Sequence, residues 1–308
     1  MHKTNIKSLP LIALFAVFAI FTVIIIGSHA AQAAPTKVDL RTASPFAILS
    51  GTPNITDAGN ASVINGNVGL SPATGAGIGL VCSQVNGTIY SVDATGPLPC
   101  RVTNSPLLLT AKNDLTAAYI DVAGRTPLTT VPTELGGTTL VAGVYDSTST
   151  TFNITAGAGP LVLDGQGDSS SVFILQAPFN GTGLNVGSGS TVSLINGAQA
   201  CNVFWRVNTA SINTTATFVG TILALNSISV ANGATIDGRL LARNGSVTLI
   251  NDTITASVCA GNDTTDEVVP GLPNTGVSSQ HILWAAISTL LVATGLLLAY
   301  GAYKKRSL

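Results

Sequence analysis

Between residues 38 and 259 the chain alternates short apolar, β-branched runs with Asn-Gly, Asp-Gly and Gly-x-Gly punctuation. Residues 216–224 read ATFVGTILA and residues 234–242 read ATIDGRLLA, an offset of 18 residues. A second theme recurs as TVSLING at 191–197 and SVTLIND at 246–252. A period of about 18–20 residues is too short for helical repeats and suits one turn of a β-solenoid with about three short strands. Its strands would stack about 4.8 Å apart from turn to turn. Phe218, Ile222, Ile236 and Leu240 fit the inward positions, and Thr217, Thr221 and Thr235 the outward ones.

One segment departs from this pattern. In residues 105–124, Leu108, Ala111, Leu115, Ala118 and Val122 share one helical face, with Ser105 placed to cap the start, Pro106 at the first position and Gly124 at the end. The spacing predicts one helix lying along the solenoid. The Gly-, Pro- and Ser-rich residues 71–104 read as an insertion or end cap, which shields strands that would otherwise pair edge to edge.

The two ends read as addresses. Residues 1–33 have the charges of Lys3 and Lys7, an apolar run from Leu9 to Gly27 and the small-x-small site Ala31-Gln32-Ala33, as in a secretory signal peptide. After a linker at 261–271, residues 272–308 carry Leu272-Pro273-Asn274-Thr275-Gly276, a 22-residue apolar stretch at 282–303 and the basic Lys304-Lys305-Arg306. A helix of that length spans a bilayer, with its basic tail on the cytoplasmic side. The order resembles the sorting signal of Gram-positive surface proteins. That likeness implies cleavage by a sortase between Thr275 and Gly276 and attachment of Thr275 to peptidoglycan. A domain at 34–260 would then face outward, secreted and anchored to the wall or held in the membrane by its C-terminal segment.

Charge and composition narrow the chemistry. Charged residues make up 9% of the chain. Five of the 13 Lys and Arg fall in the terminal segments, leaving eight against 14 Asp and Glu, a thinly spread net of −6 that excludes the basic patch a nucleic-acid binder needs. The three histidines, His2, His29 and His281, all lie in the terminal segments, so the body has no histidine for a triad, a metal site or a general base. Its four cysteines suggest two disulfides in a secreted chain. Of three possible pairings, Cys82–Cys100 would staple the Gly/Pro-rich segment and Cys201–Cys259 would tie down the end of the domain. No CxxC spacing accompanies them, and no metal or other cofactor is expected.

In LRTASPFAIL (40–49), VINGNVGLSP (63–72), AKNDLTAAYIDVAGR (111–125), DGQGDSSSVFILQ (164–176), GAQACNVFWRV (197–207) and the stretch 218–255, the chain resembles the bacterial and fungal ice-binding proteins of the DUF3494 type. The ordered set covers residues 38–259. The resemblance implies a discontinuous right-handed parallel β-helix of triangular cross-section, with one α-helix alongside and a capping insertion. It also implies an ice crystal as partner, bound without catalysis, and the domain is expected to be monomeric.

Ice presents neutral water on a lattice, so a binder needs a flat, rigid, weakly hydrated face. Threonine supplies a hydroxyl and a methyl on a side chain with restricted rotamers. The resemblance brings a Thr-(Gly/Ala)-x-(Thr/Asn) motif to three tetrads: Ser188-Gly189-Ser190-Thr191, Thr214-Thr215-Ala216-Thr217 and Asn232-Gly233-Ala234-Thr235. None is a full match. The candidate ice-binding residues are Thr191, Thr217 and Thr235, then Thr214, Ser188 and Asn232. A wall-anchored adhesin without ice affinity is the rival reading. A polysaccharide-degrading enzyme would need carboxylates and a basic catalyst, for which only Asp164, Asp168, Arg239 and Arg243 offer themselves. The aspartates read as turn residues and the arginines as partners in edge salt bridges. Trp205 reads as part of a buried strand.

Overall fold

The 18-residue repeat sets the register of the molecule. Thr217–Ala224 and Thr235–Ala242 are parallel eight-residue strands, with Thr217 opposite Thr235 and Ala224 opposite Ala242. The computed structural model describes residues 35–126, 128–177 and 183–260. Parallel strands stack in three sheets, of thirteen, three and seven strands. The fold is thus all-β with one α-helix.

Chain order and stacking order differ. Phe46–Ser50 pairs with Thr235–Ala242, Ile55–Asp57 with Val247–Leu249, and Val63–Asn65 with Thr253–Thr255. The first coils in sequence therefore stack on the last. Helix α1, Ser105–Ala123, joins the two ends of this arrangement. It follows Arg101–Thr103 at one end of the large sheet and precedes Thr129–Val131 at the other. Asn104, not Ser105, caps it: the Asn104 carboxamide accepts from the Leu107 N–H, which places Ser105 within the first turn. All five residues of its predicted apolar face are buried, and Tyr119 joins them.

Two apolar layers result. Inside the coils lie Phe218, Ile222, Ile236, Leu240 and the fully buried Trp205, whose indole N–H donates to the Val219 carbonyl. Between α1 and the outer side of the large sheet lie Phe204, Ile174, Leu223 and Leu241 with Leu108, Leu115 and Tyr119. Gly220 and Gly238 let the two long strands pass close to their neighbours. A Cβ on Gly238 would sit 1.9 Å from the Gly220 carbonyl oxygen.

Both favoured disulfides are formed, Cys82–Cys100 and Cys201–Cys259. Residues 71–104 contribute the strands Ile78–Gly79 and Arg101–Thr103, each at an end of its sheet. Three expectations change. The second sequence theme is not a stacked repeat, because Val192–Ile195 and Val247–Leu249 lie in different sheets. Thr221 is fully buried, since it pairs with Phe204 and Arg239 on the part of the sheet that other segments cover. The arginines bond to uncharged groups rather than forming edge salt bridges. Arg239 donates to the Ser44 and Ser257 carbonyls, and Arg243 donates to the Thr116 hydroxyl and lies over the Tyr119 ring. Asp164 and Asp168 do serve turns, accepting from the Gln166 and Ser170 amides.

The readings of residues 1–33, 261–271 and 272–308, with Thr275, Gly276 and the stretch 282–303, lie outside the described residues. Among the described residues, no helix is long and apolar enough to cross a membrane.

Candidate functional site

In successive repeats a tight turn follows the strand of the seven-stranded sheet. Gly189, Thr215, Gly233 and Asn251 occupy equivalent positions there, all in the left-handed backbone region. The amide of each of the first three donates to the next coil, to the carbonyls of Thr214, Asn232 and Ile250 in turn. Ser188, Thr214 and Asn232 are exposed on this corner. The Asn251 carboxamide donates to that of Asn232, 2.9 Å away, and Asn213 donates to Asn185, so side-chain amides lock neighbouring coils together.

Past the corner, each tetrad ends in a threonine at the start of the next strand. Thr191 bridges to Thr217, Thr217 pairs with Thr235, and Thr235 with Thr253. The structure therefore brings all six candidate residues together, three in one register row and three on the adjoining corner. Thr253, which sequence comparison of the tetrads missed, extends the row, and Val63 continues it across the junction with the first coils. A second row alongside runs Val219, Asp237, Thr255, Asn65 and Asn86. Burial raises the Asp237 carboxyl above the usual range, and nearby Arg239 opposes that shift.

On the other side of the corner the seven-stranded sheet presents a more regular surface. Its outward row is Asn153, Asn185, Ser211, Ser229, Thr248, Thr56 and Gly79, each in register with the next. The residues flanking each of them along the strand point inward, into the apolar core as Ala210 and Ile212 do beside Ser211, except Asp57 beside Thr56, whose buried carboxyl is held by hydrogen bonds. No charged side chain interrupts the row. Six inter-strand steps make it about 29 Å long. The signal for it is present in the sequence as apolar-polar-apolar triplets, such as Ile228-Ser229-Val230 and Val247-Thr248-Leu249.

Beneath the corner two carboxyls are buried. Asp57 accepts from the Ser62 and Asn251 amides and from the Gln84 carboxamide, which hold its pKa down against burial. Asp252 accepts from the Ala234 and Ile250 amides, yet burial pushes it up to about 6, helped by the charge of Asp57. Their oxygens are occupied by N–H donors, and among the described residues no three His, Cys, Asp or Glu side chains are placed to share a metal.

The chain is similar to known proteins in sequence and in fold. The ice-binding-like family model covers residues 48–255, and the chain belongs to that family. It is 40% identical over 211 residues to an ice-binding protein of Colwellia sp, covering 65% of this chain and 76% of that protein. It is 42% identical over 202 residues to an ice-binding protein of Flavobacterium frigoris, covering 64% and 68%. Among solved structures, the DUF3494 domain of Shewanella frigidimarina ice-binding protein 1 superposes with a TM-score of 0.65 at 29% identity, over 73% of this chain and 99% of that one.

Proposed function

We propose that this protein binds ice, adsorbing without catalysis through the surface that folds around the corner. Thr191, Thr217 and Thr235 form one side, and Ser188, Thr214 and Asn232 form the edge. The outward row of the seven-stranded sheet forms the other side. The observation that carries this reading is that row: hydroxyls, carboxamides and glycine in register over seven strands, with no charge and no bulky side chain. Rigid parallel coils fix the spacing, as a surface needs if it is to hold water in a lattice before it merges with the crystal. Adsorbed molecules force ice to advance between pinned points, which slows growth and recrystallisation.

In this reading the three sheets close as a right-handed β-helix of triangular section, and the domain acts as a monomer. The terminal segments direct secretion and sortase-mediated attachment to peptidoglycan through Leu272–Gly276, so the protein would hold cells to ice or shape ice around them. Substituting Thr275 should release the protein from the wall fraction. An adhesin without ice affinity remains the second reading, because wall anchorage serves it equally.

The deciding experiment is ice recrystallisation inhibition by the purified protein beside two double variants, Ser211→Tyr with Ser229→Tyr, and Thr217→Tyr with Thr235→Tyr. Loss of inhibition in a folded variant places ice on that side of the corner. A folded wild type that does not inhibit leaves the adhesin reading.

A further inference from the structure

The two outward rows on the threonine side contain a single ionisable residue. Thr191, Thr217, Thr235, Thr253 and Val63 make the first row, and Asp237 stands in the second between Val219 and Thr255. Along its strand Asp237 follows Thr235 by two residues, about 7 Å on the same side of the sheet. It is exposed. Arg239 is the charge that acts on it, but the Arg239 guanidinium is committed to the Ser44 carbonyl and to the carbonyl and hydroxyl of Ser257. The other elements against Asp237 offer no charge: Val219 and Thr255 flank it, and the neighbouring turn Ala200–Asn202 is uncharged.

We propose that Asp237 is a specificity-determining residue of the ice-binding surface, an ionised carboxylate that limits how well the threonine rows order ice-like water and that acid relieves. The proposal rests on the ice-binding reading and deepens it. A carboxylate takes short, charge-assisted hydrogen bonds from several waters, whose positions follow the charge rather than a lattice. Releasing that hydration to a neutral crystal costs free energy that a hydroxyl or carboxamide does not incur. Protonation leaves a neutral group that both donates and accepts. The adjoining seven-stranded sheet lacks such a charge, so its adsorption should not follow pH in this way.

The test is recrystallisation inhibition by the wild type, Asp237→Asn, Thr235→Tyr and Ser229→Tyr at about pH 3 and about pH 8, on either side of the ordinary carboxylate range and of any raised carboxyl, with folding checked by melting curves. The half-inhibitory concentration of the wild type should fall severalfold in acid. Asp237→Asn should match that acid value at both pH values. Asp252 also titrates in this window but is retained in Asp237→Asn, so only the part of the profile lost in the variant bears on the proposal. An Asp237→Asn protein with the wild-type potency and pH profile overturns it. So does full inhibition by Thr235→Tyr together with loss in Ser229→Tyr, which confines ice to the seven-stranded sheet and leaves the ice reading standing. A folded wild type without inhibition at either pH refutes the ice reading itself.

Discussion

The seven-stranded sheet and the sheet beneath α1 belong to the same coils, yet their outward residues differ sharply in size. One presents Asn185, Ser211, Ser229 and Thr248. The other presents Ile174, Phe204, Leu223 and Leu241, all buried against the helix. Both obey the same alternation, with every second residue in the core. The difference lies in what covers the outer surface. Large apolar side chains mark a side that must be covered, because leaving one exposed forgoes about 1.5–3 kcal/mol of burial. Small polar ones mark a side that stays open.

The sharpest way to break this comparison is to truncate equivalent outward positions. Phe204→Ala should cost about 3–5 kcal/mol in denaturant unfolding, as expected for a large buried aromatic. Ser229→Ala should stay within about 0.5 kcal/mol. Similar costs at the two sites would mean that the helix-covered layer is not a true second core. A smaller but still substantial effect is expected where the trailing segment is fastened. Replacing Cys201 and Cys259 by Ala should cost on the order of 2–4 kcal/mol by removing a 58-residue tie. The 18-residue Cys82–Cys100 tie should matter less, since a shorter loop restrains the unfolded chain less.

Much of this was legible in the sequence, and what was not has a physical reason. The ATFVGTILA/ATIDGRLLA repeat gave the stacked pair of strands and its register, and the periodicity of residues 105–124 gave the buried face of α1. Period-2 alternation also gave the direction of Thr221. It could not reveal that Phe204, Arg239 and covering segments would bury that hydroxyl, because cover comes from residues distant in the chain. The same limit applies to the candidate site. The tetrads pointed to Thr191, Thr217 and Thr235, which do share a row. The in-register ladder of the seven-stranded sheet joins residues as far apart as Thr56 and Thr248, and nothing local in the sequence pairs them.

The junction between first and last coils, absent from the chain order, should show itself in the pH dependence of stability. Asp252 is protonated more readily in the folded protein, with its pKa at about 6, than in the unfolded chain at 3.8. Below that interval both states hold the proton. As pH rises through it the unfolded state loses its proton first, so stability should fall, by on the order of 2–3 kcal/mol between about pH 4 and 6.5. Asp237, also raised, adds in the same direction. Asp57, Asp93, Glu134 and Asp168 are lowered, so their contributions grow as pH rises through the unfolded values of 3.8 and 4.5 and oppose the decline only at the acid edge of this window. Thermal melting across the window should show the decline, and Asp252→Asn should flatten it even though it weakens the corner. A wild-type melting temperature that is level or rising from pH 4 to 6.5 would contradict the buried pair.

The smallest effect separates the corner from both sheets. Thr215 has a φ of 58°, in a column otherwise held by Gly189, Gly233 and Asn251. A β-branched residue is poorly suited to that conformation, whereas glycine adopts it without steric cost. Thr215→Gly should therefore stabilise the protein by roughly 0.5–1 kcal/mol, the relief of backbone strain exceeding the entropy that glycine loses on folding. It also converts the second tetrad to Thr214-Gly-Ala216-Thr217, a closer fit to the motif seen by resemblance. If corner shape matters more than the Thr215 hydroxyl, recrystallisation inhibition should be retained as the melting temperature rises. A more stable variant with weaker inhibition would show instead that the Thr215 side chain itself meets ice.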